Sequence, residues 1–172
     1  MMTINKTALL IFFSCAITVL SSCNANKSTV KTVTESKSQV IDFRELNTGT
    51  NSGFTEKTNE AIYNQIEYNN AWERAFSKYF QKPKPQKIDF ENKQLILVAM
   101  GERNSGGYKI RVKSVEESET NIIVIIEETK PGNSCLTTSV MTYPYQIIEI
   151  KKIPKKLIFQ TEEKIIDCKV QE

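Results

Sequence analysis

The residue types that most often do chemistry are sparse here, and their spacing narrows the choices further. The 172 residues include no histidine. Ser-His-Asp and Cys-His arrangements and the usual zinc sites are thereby excluded. There is no Walker-type phosphate loop, and Gly106-Gly107 is too short a glycine run to cradle a phosphate. Carboxylates occur in pairs at Glu116-Glu117, Glu127-Glu128 and Glu162-Glu163. Each pair sits beside a turn or a strand end, where solvated charge is the simpler reading. Lys151, Lys152, Lys155 and Lys156 flank Pro154 and read as a charged edge that discourages strand-to-strand aggregation. No catalytic residue, metal site or cofactor is assigned on this basis, and a binding or scaffolding role is favoured over an enzyme. That leaves the four cysteines as the residues with chemistry to do.

The first two cysteines belong to the leader region. Lys6 supplies a short basic segment, and Ala8 to Leu20 is an apolar run of 13 residues. A spanning helix needs about 20 such residues, so the run fits the apolar centre of a secretory signal instead. It ends in Leu20-Ser21-Ser22-Cys23, which resembles the lipobox of bacterial lipoproteins. The resemblance implies cleavage before Cys23 and diacylglycerol on its thiol. Residues 1–22 are then a lipoprotein signal peptide, and residues 23–39 a flexible lipidated tether rich in Lys, Ser, Thr and Asn. Losing Lys6 takes the formal charge from +3 to +2, which argues against a nucleic-acid partner. Attachment to a lipid bilayer would run through acylated Cys23 alone, each buried CH₂ contributing roughly 0.8 kcal/mol. Asn24-Ala25-Asn26-Lys27 carries no acidic run. The expected location is therefore the cell envelope, on the outer membrane facing the periplasm. In such an oxidising compartment Cys135 and Cys168 read as a disulfide. The chain-entropy model assigns a loop of that length about 4 kcal/mol. Two unpaired thiols are the alternative.

The elements that must position these residues follow from periodicity. One domain of residues 40–172 is expected, with an α+β fold. It would be mainly antiparallel β, a meander or sandwich-like sheet, with one amphipathic helix packed on it. Val40 to Leu46 can form a first strand, closed by the turn-rich stretch from Asn47 to Gly53, and Phe54 to Tyr63 a second. Tyr68, Ala71, Trp72, Ala75, Phe76 and Tyr79 then fall on one helical face. Asn64 and Glu67 form a capping pair at its start, and Pro83 and Pro85 end it. That face reads as core packing, with an exposed aromatic docking stripe as the sharper alternative. Gln94 to Met100 is almost wholly apolar and suits a central strand buried on both faces. Asn104 to Gly107 signals a turn. Tyr108, Ile110 and Val112 alternate with Lys109, Arg111 and Lys113, as in a half-buried strand. Glu116 to Asn121 reads as a turn, Ile122 to Ile126 as a core strand, and Lys130 to Ser134 as another turn. Further strands are expected at Ser139–Thr142, Tyr145–Ile150 and Leu157–Gln160. No internal repeat is present.

The block from Ile88 to Ile150 resembles the C-terminal domain of the PrcB protease-complex subunit family. Asp89-Phe90 precedes the buried strand. Gly101 to Tyr108 resembles the family's Gly…Thr-Gly-Gly-Tyr hairpin, with Ser105 where the family usually has Thr. Pro131-Gly132 follows the acidic strand end, and Thr142 to Ile147 resembles the family's Pro-Tyr strand. The Trp72 helix and the Ser52-Gly53 turn extend the likeness over Val40 to Ile150. The resemblance implies a non-catalytic envelope lipoprotein that binds a protein partner, such as a secreted or membrane-associated protease, and stabilises or regulates it. An inhibitor-like variant would place exposed loops in a protease cleft. A small-ligand or glycan binder of the envelope, with weak enzymatic activity, is the alternative. For the partner-binding surface the candidates are Asn104, Ser105, Gly106, Gly107 and Tyr108, together with Tyr143, Pro144 and Tyr145. Glycines permit a specific loop shape, tyrosines suit interfaces, and Pro144 suits a strand entrance where an incoming chain can pair. The competing reading is that the glycines turn a hairpin and Tyr108 and Tyr145 pack in the core.

Overall fold

A computed structural model describes residues 38–168. Cys23, the leader and most of the tether lie outside the described residues, so lipidation does too. The elements are β1 (Gln39–Val40), β2 (Phe43–Gly49), β3 (Lys57–Ile62), α1 (Gln65–Ala75), β4 (Lys93–Met100), β5 (Lys109–Glu117), β6 (Asn121–Pro131), β7 (Tyr145–Lys151) and β8 (Lys156–Ile166).

A strand as apolar as Gln94 to Met100 presents two faces that water must not reach, and the fold covers both. Leu95, Leu97 and Ala99 of β4 pack with Tyr145 and Ile147 of β7 beneath the helix. Ile96, Val98 and Met100, with Ile148 and Ile150, pack on the opposite side against Ile110, Val112, Ile122, Val124 and Ile126. The result is three layers: α1, a four-stranded sheet in the order β2-β7-β4-β3, and a second four-stranded sheet in the order β1-β5-β6-β8. Every pairing is antiparallel except β6 with β8. The α+β fold, mainly antiparallel with one packed helix, is as expected.

The helix forms where its period placed it. The Asn64 side chain accepts from the Glu67 N–H at 2.9 Å, satisfying a backbone donor that the helix itself leaves free, and the Glu67 carboxylate accepts from the Tyr63 N–H at 2.9 Å, tying the residue before the cap to the first turn. Tyr68, Ala71, Trp72 and Ala75 are buried, as is Phe76 just past the helix, so this face is core; Tyr79, the last position expected on it, lies beyond the helix and is exposed. The helix ends at Ala75, well before Pro83 and Pro85. Its last carbonyls are taken by a turn at Phe76-Ser77 and by the Gly53 N–H, which donates to the Arg74 carbonyl at 2.9 Å. The proline segment instead covers the helix: the Trp72 indole donates to the Pro83 carbonyl at 2.6 Å.

Several boundaries differ from expectation for reasons visible in the pairing. The first strand is split at Ile41-Asp42, where the chain passes from one sheet to the other. Asn47, Thr48 and Gly49 continue β2 rather than turning, because each pairs with a residue of β7. Ser139–Thr142 is not a strand; Thr142 makes one isolated bridge, to Arg103. β8 is longer than Leu157–Gln160, since β6 offers it a parallel partner through Pro131. In β5 a bulge at Lys113 shifts the alternation, so that Ile110, Val112 and Val115 all face inward.

Two polar ties cross between the sheets. The Val112 N–H donates to the Gln146 side-chain oxygen at 2.6 Å. The Lys57 ammonium meets the buried Glu128 carboxylate at 2.6 Å, so that charge is paired rather than stranded. The packing of β7 gives a direct test. Ile148→Ala should lower stability by about 2–5 kcal/mol, whereas Ile158→Ala, on the outer face of β8, should stay within about 1 kcal/mol. Equilibrium urea denaturation reads both, and equal losses would contradict the three-layer arrangement.

Candidate functional site

Three connections meet at one end of the sandwich, where β4, β6 and β8 finish and β5 and β7 begin. They are residues 50–56, 101–108 and 132–144. Their contacts start from the glycine pair. Gly107 has φ +89°, and a Cβ there would lie 3.2–3.3 Å from the Pro131 and Thr137 side chains. A Cβ on Gly106 would lie 2.5 Å from the Thr138 hydroxyl oxygen. The pair is therefore a floor on which the 132–144 segment rests, and only residues without side chains allow so close an approach. The Gly106 N–H donates to the Thr138 carbonyl at 3.0 Å.

Backbone bonds hold the rest. Arg103 and Thr142 exchange two, each 2.8 Å, and the Thr142 hydroxyl donates to the Ser105 carbonyl at 2.8 Å. The Met100 N–H donates to the Pro144 carbonyl at 2.9 Å. The Tyr143 N–H donates to the Thr50 carbonyl at 2.7 Å, and the Ser52 hydroxyl to the Tyr143 carbonyl at 2.8 Å. At the start of the segment the Gly132 N–H donates to the Ile166 carbonyl at 2.8 Å. Cys135 and Cys168 lie at disulfide distance, with Cα atoms 4.8 Å apart. The bridge ties the segment to the residues that follow β8.

This end gathers the residues singled out in the sequence, but not all at the surface. Asn104 and Gly107 are exposed; Ser105, Gly106, Tyr108 and Tyr143 are half-buried. The Tyr143 hydroxyl donates to the Glu102 carboxylate at 2.8 Å, and that bond pushes the phenol above its ordinary range. The Lys78 ammonium lies over the Tyr143 ring. Pro144 and Tyr145 are buried and leave the candidate surface. Tyr145 is only 2 % exposed because it shares the helix-facing side of β7 with Ile147. Its ring packs on Phe54, 5.6 Å between centroids, its hydroxyl donates to the Asn47 side chain, and burial pushes its phenol up. Pro144 does stand at the entrance of β7, but that strand is paired on both sides, by β2 and β4, and the Pro144 carbonyl accepts from the Met100 N–H, so no incoming chain can pair there.

Sequence reasoning missed the most exposed part of this end. Residues 136–141 are all exposed, and Leu136, Val140 and Met141 among them are apolar. Ile165 and Ile166 at the end of β8 are exposed as well. The available signal was a run of apolar and hydroxyl residues directly after a cysteine and a Pro-Gly turn. Only its end, Ser139–Thr142, carries an expectation from the sequence, that of a short strand. Among the described residues no group of three or more Cys, Asp or Glu side chains could hold a metal ion.

The fold and this end define a helix-backed β-sandwich that displays a braced loop. Residues 95–151, from β4 to the end of β7, match the family model described as PrcB C-terminal. The match supports the resemblance to the PrcB family over this stretch. Neither the curated proteins nor the solved structures gave a match to the chain.

Free-thiol labelling of the unfolded, unreduced protein should find neither Cys135 nor Cys168, and stoichiometric labelling would reject the bridge. Gly107→Ala should cost more than about 1 kcal/mol, since the backbone there is left-handed and the added methyl meets Pro131 and Thr137. Thermal melts of the two proteins measure that difference.

Proposed function

We propose that this chain is a non-catalytic accessory subunit of a protease complex, an envelope lipoprotein whose loop end binds its protein partner. The observation that carries the reading is the braced 132–144 segment, which keeps Leu136, Val140 and Met141 in water. These three contribute no core burial, and within one short, well-held segment they add to the exposed Ile165 and Ile166 at the end of β8; exposed apolar side chains gathered at one end of a domain mark interaction surfaces. The PrcB C-terminal match supports a protease-complex association.

The placement of the tether suits this role. The described chain begins beside β1, where Gln39 pairs with Glu117 at the far end of β5 from Lys109. At about 3.3 Å per strand residue, roughly 25 Å separates that point from the loop end. With Cys23 acylated in the outer membrane, the tether joins the domain at one end and the partner meets the other, on the periplasmic side.

Crosslinking in intact cells, followed by membrane fractionation, tests the reading. The protein should be recovered in the membrane fraction with a stoichiometric protein partner, a protease. Cys23→Ser should release it from that fraction or leave the precursor uncleaved. Ser105→Lys and Val140→Asp should each weaken partner binding at least tenfold, about 1.4 kcal/mol, with the melting temperature unchanged. Recovery without any protein partner, or unchanged affinity in both folded variants, would contradict it.

A further inference from the structure

We propose that the 132–144 segment enters the substrate cleft of an endoprotease with an apolar primary specificity pocket, and that Leu136 occupies that pocket. This rests on the reading of the chain as a protease-complex subunit and names the part of the partner that its loop end fits.

Three properties of the segment point this way. The first is shape. Leu136 is 103 % exposed, as open as a residue in a free peptide, and the residues after it through Met141 are exposed with it. The turn closed by the Cys135 N–H on the Gly132 carbonyl, 3.0 Å, ends at Cys135, and Leu136 and Thr137 belong to no helix, strand or turn, which leaves their backbone open to pair with a cleft as a substrate strand does.

The second is restraint. The exposed stretch is held on both sides: by the Cys135–Cys168 bridge and the Gly132–Ile166 bond before it, and by the paired bonds of Thr142 with Arg103 after it. The Gly106 N–H holds the Thr138 carbonyl in between. A loop already fixed in its bound form loses less conformational freedom on docking, and that raises affinity without any further contact.

The third is charge. One residue in four of the whole chain is charged, yet no charged residue occurs from Pro131 through Ile148. A pocket that selects lysine or arginine finds no cation to take within this segment. A pocket lined by apolar groups can take the Leu136 side chain at full burial.

The experiment uses the full-length protein in detergent, with subtilisin as the protease of broad apolar preference and trypsin as the cation-selective one. Each is assayed on a short chromogenic peptide. The protein should inhibit subtilisin competitively and leave trypsin unaffected. Leu136→Asp should raise the inhibition constant at least tenfold, and Leu136→Lys should transfer inhibition to trypsin. Both changes are at a fully exposed side chain, so melting temperatures should be unchanged. Mass spectrometry follows the Leu136–Thr137 bond, which should outlast the peptide substrate. Absence of subtilisin inhibition, undiminished inhibition by Leu136→Asp, or cleavage at Leu136–Thr137 as fast as the peptide would each overturn the inference. So would a crosslinked protease partner that binds Leu136→Asp as tightly as the parent, an outcome that leaves the accessory-subunit reading standing.

Discussion

The rest of the structure depends on the need to cover both faces of β4 and β7. A single sheet with one helix would bury Leu95, Leu97 and Ile147 but leave Ile96, Val98 and Ile148 in water. At about 25 cal/mol per Å² of apolar surface, leaving one face open would remove much of the stabilisation available to a domain of this size. The second sheet answers that need. Its strands come from sequence on either side of β7, so the chain must cross between sheets at Ile41-Asp42, after β4, after β6 and after β7. The connections after β4 and β6 are two of the three that gather at the loop end.

That geometry explains why a loop lacking secondary structure can still be well held. Residues 101–108 leave the helix-backed sheet for the outer one, and residues 132–144 make the return journey. They pass each other over the glycine pair and exchange backbone bonds. The bridge from Cys135 to Cys168 adds the end of β8 to the same cluster. The core thus sets the strand ends, the strand ends set the loops, and the loops hold apolar side chains in solvent.

Much of this was legible in the residues themselves. The helix could be read because its aromatic positions repeat at the helical period and Asn64 with Glu67 marks its start. β4 could be read because an unbroken apolar run admits burial on both faces. The pairing of Cys135 with Cys168 was legible because only two cysteines lie beyond the expected leader and lipobox. What could not be read depends on distant backbone. The parallel partnership of β8 with β6, the extension of β2 through Gly49 and the shift at Lys113 are set by neighbouring strands, not by local propensity. The role of Tyr145 was hidden because a tyrosine beside a proline suits either a core or an interface, and only strand parity decides. Leu136 escaped notice because nothing in its own surroundings says that its side chain stays outside.

The central claim is that the loop end is rigid in its backbone while its apolar side chains remain in solvent. Residue-resolved amide hydrogen exchange of the oxidised protein tests it most directly. The amides of Arg103, Gly106, Thr142 and Tyr143 should be strongly protected, approaching the values in β4, while that of Leu136 exchanges freely. Exchange of those four amides at the rates of an unstructured chain would contradict the account.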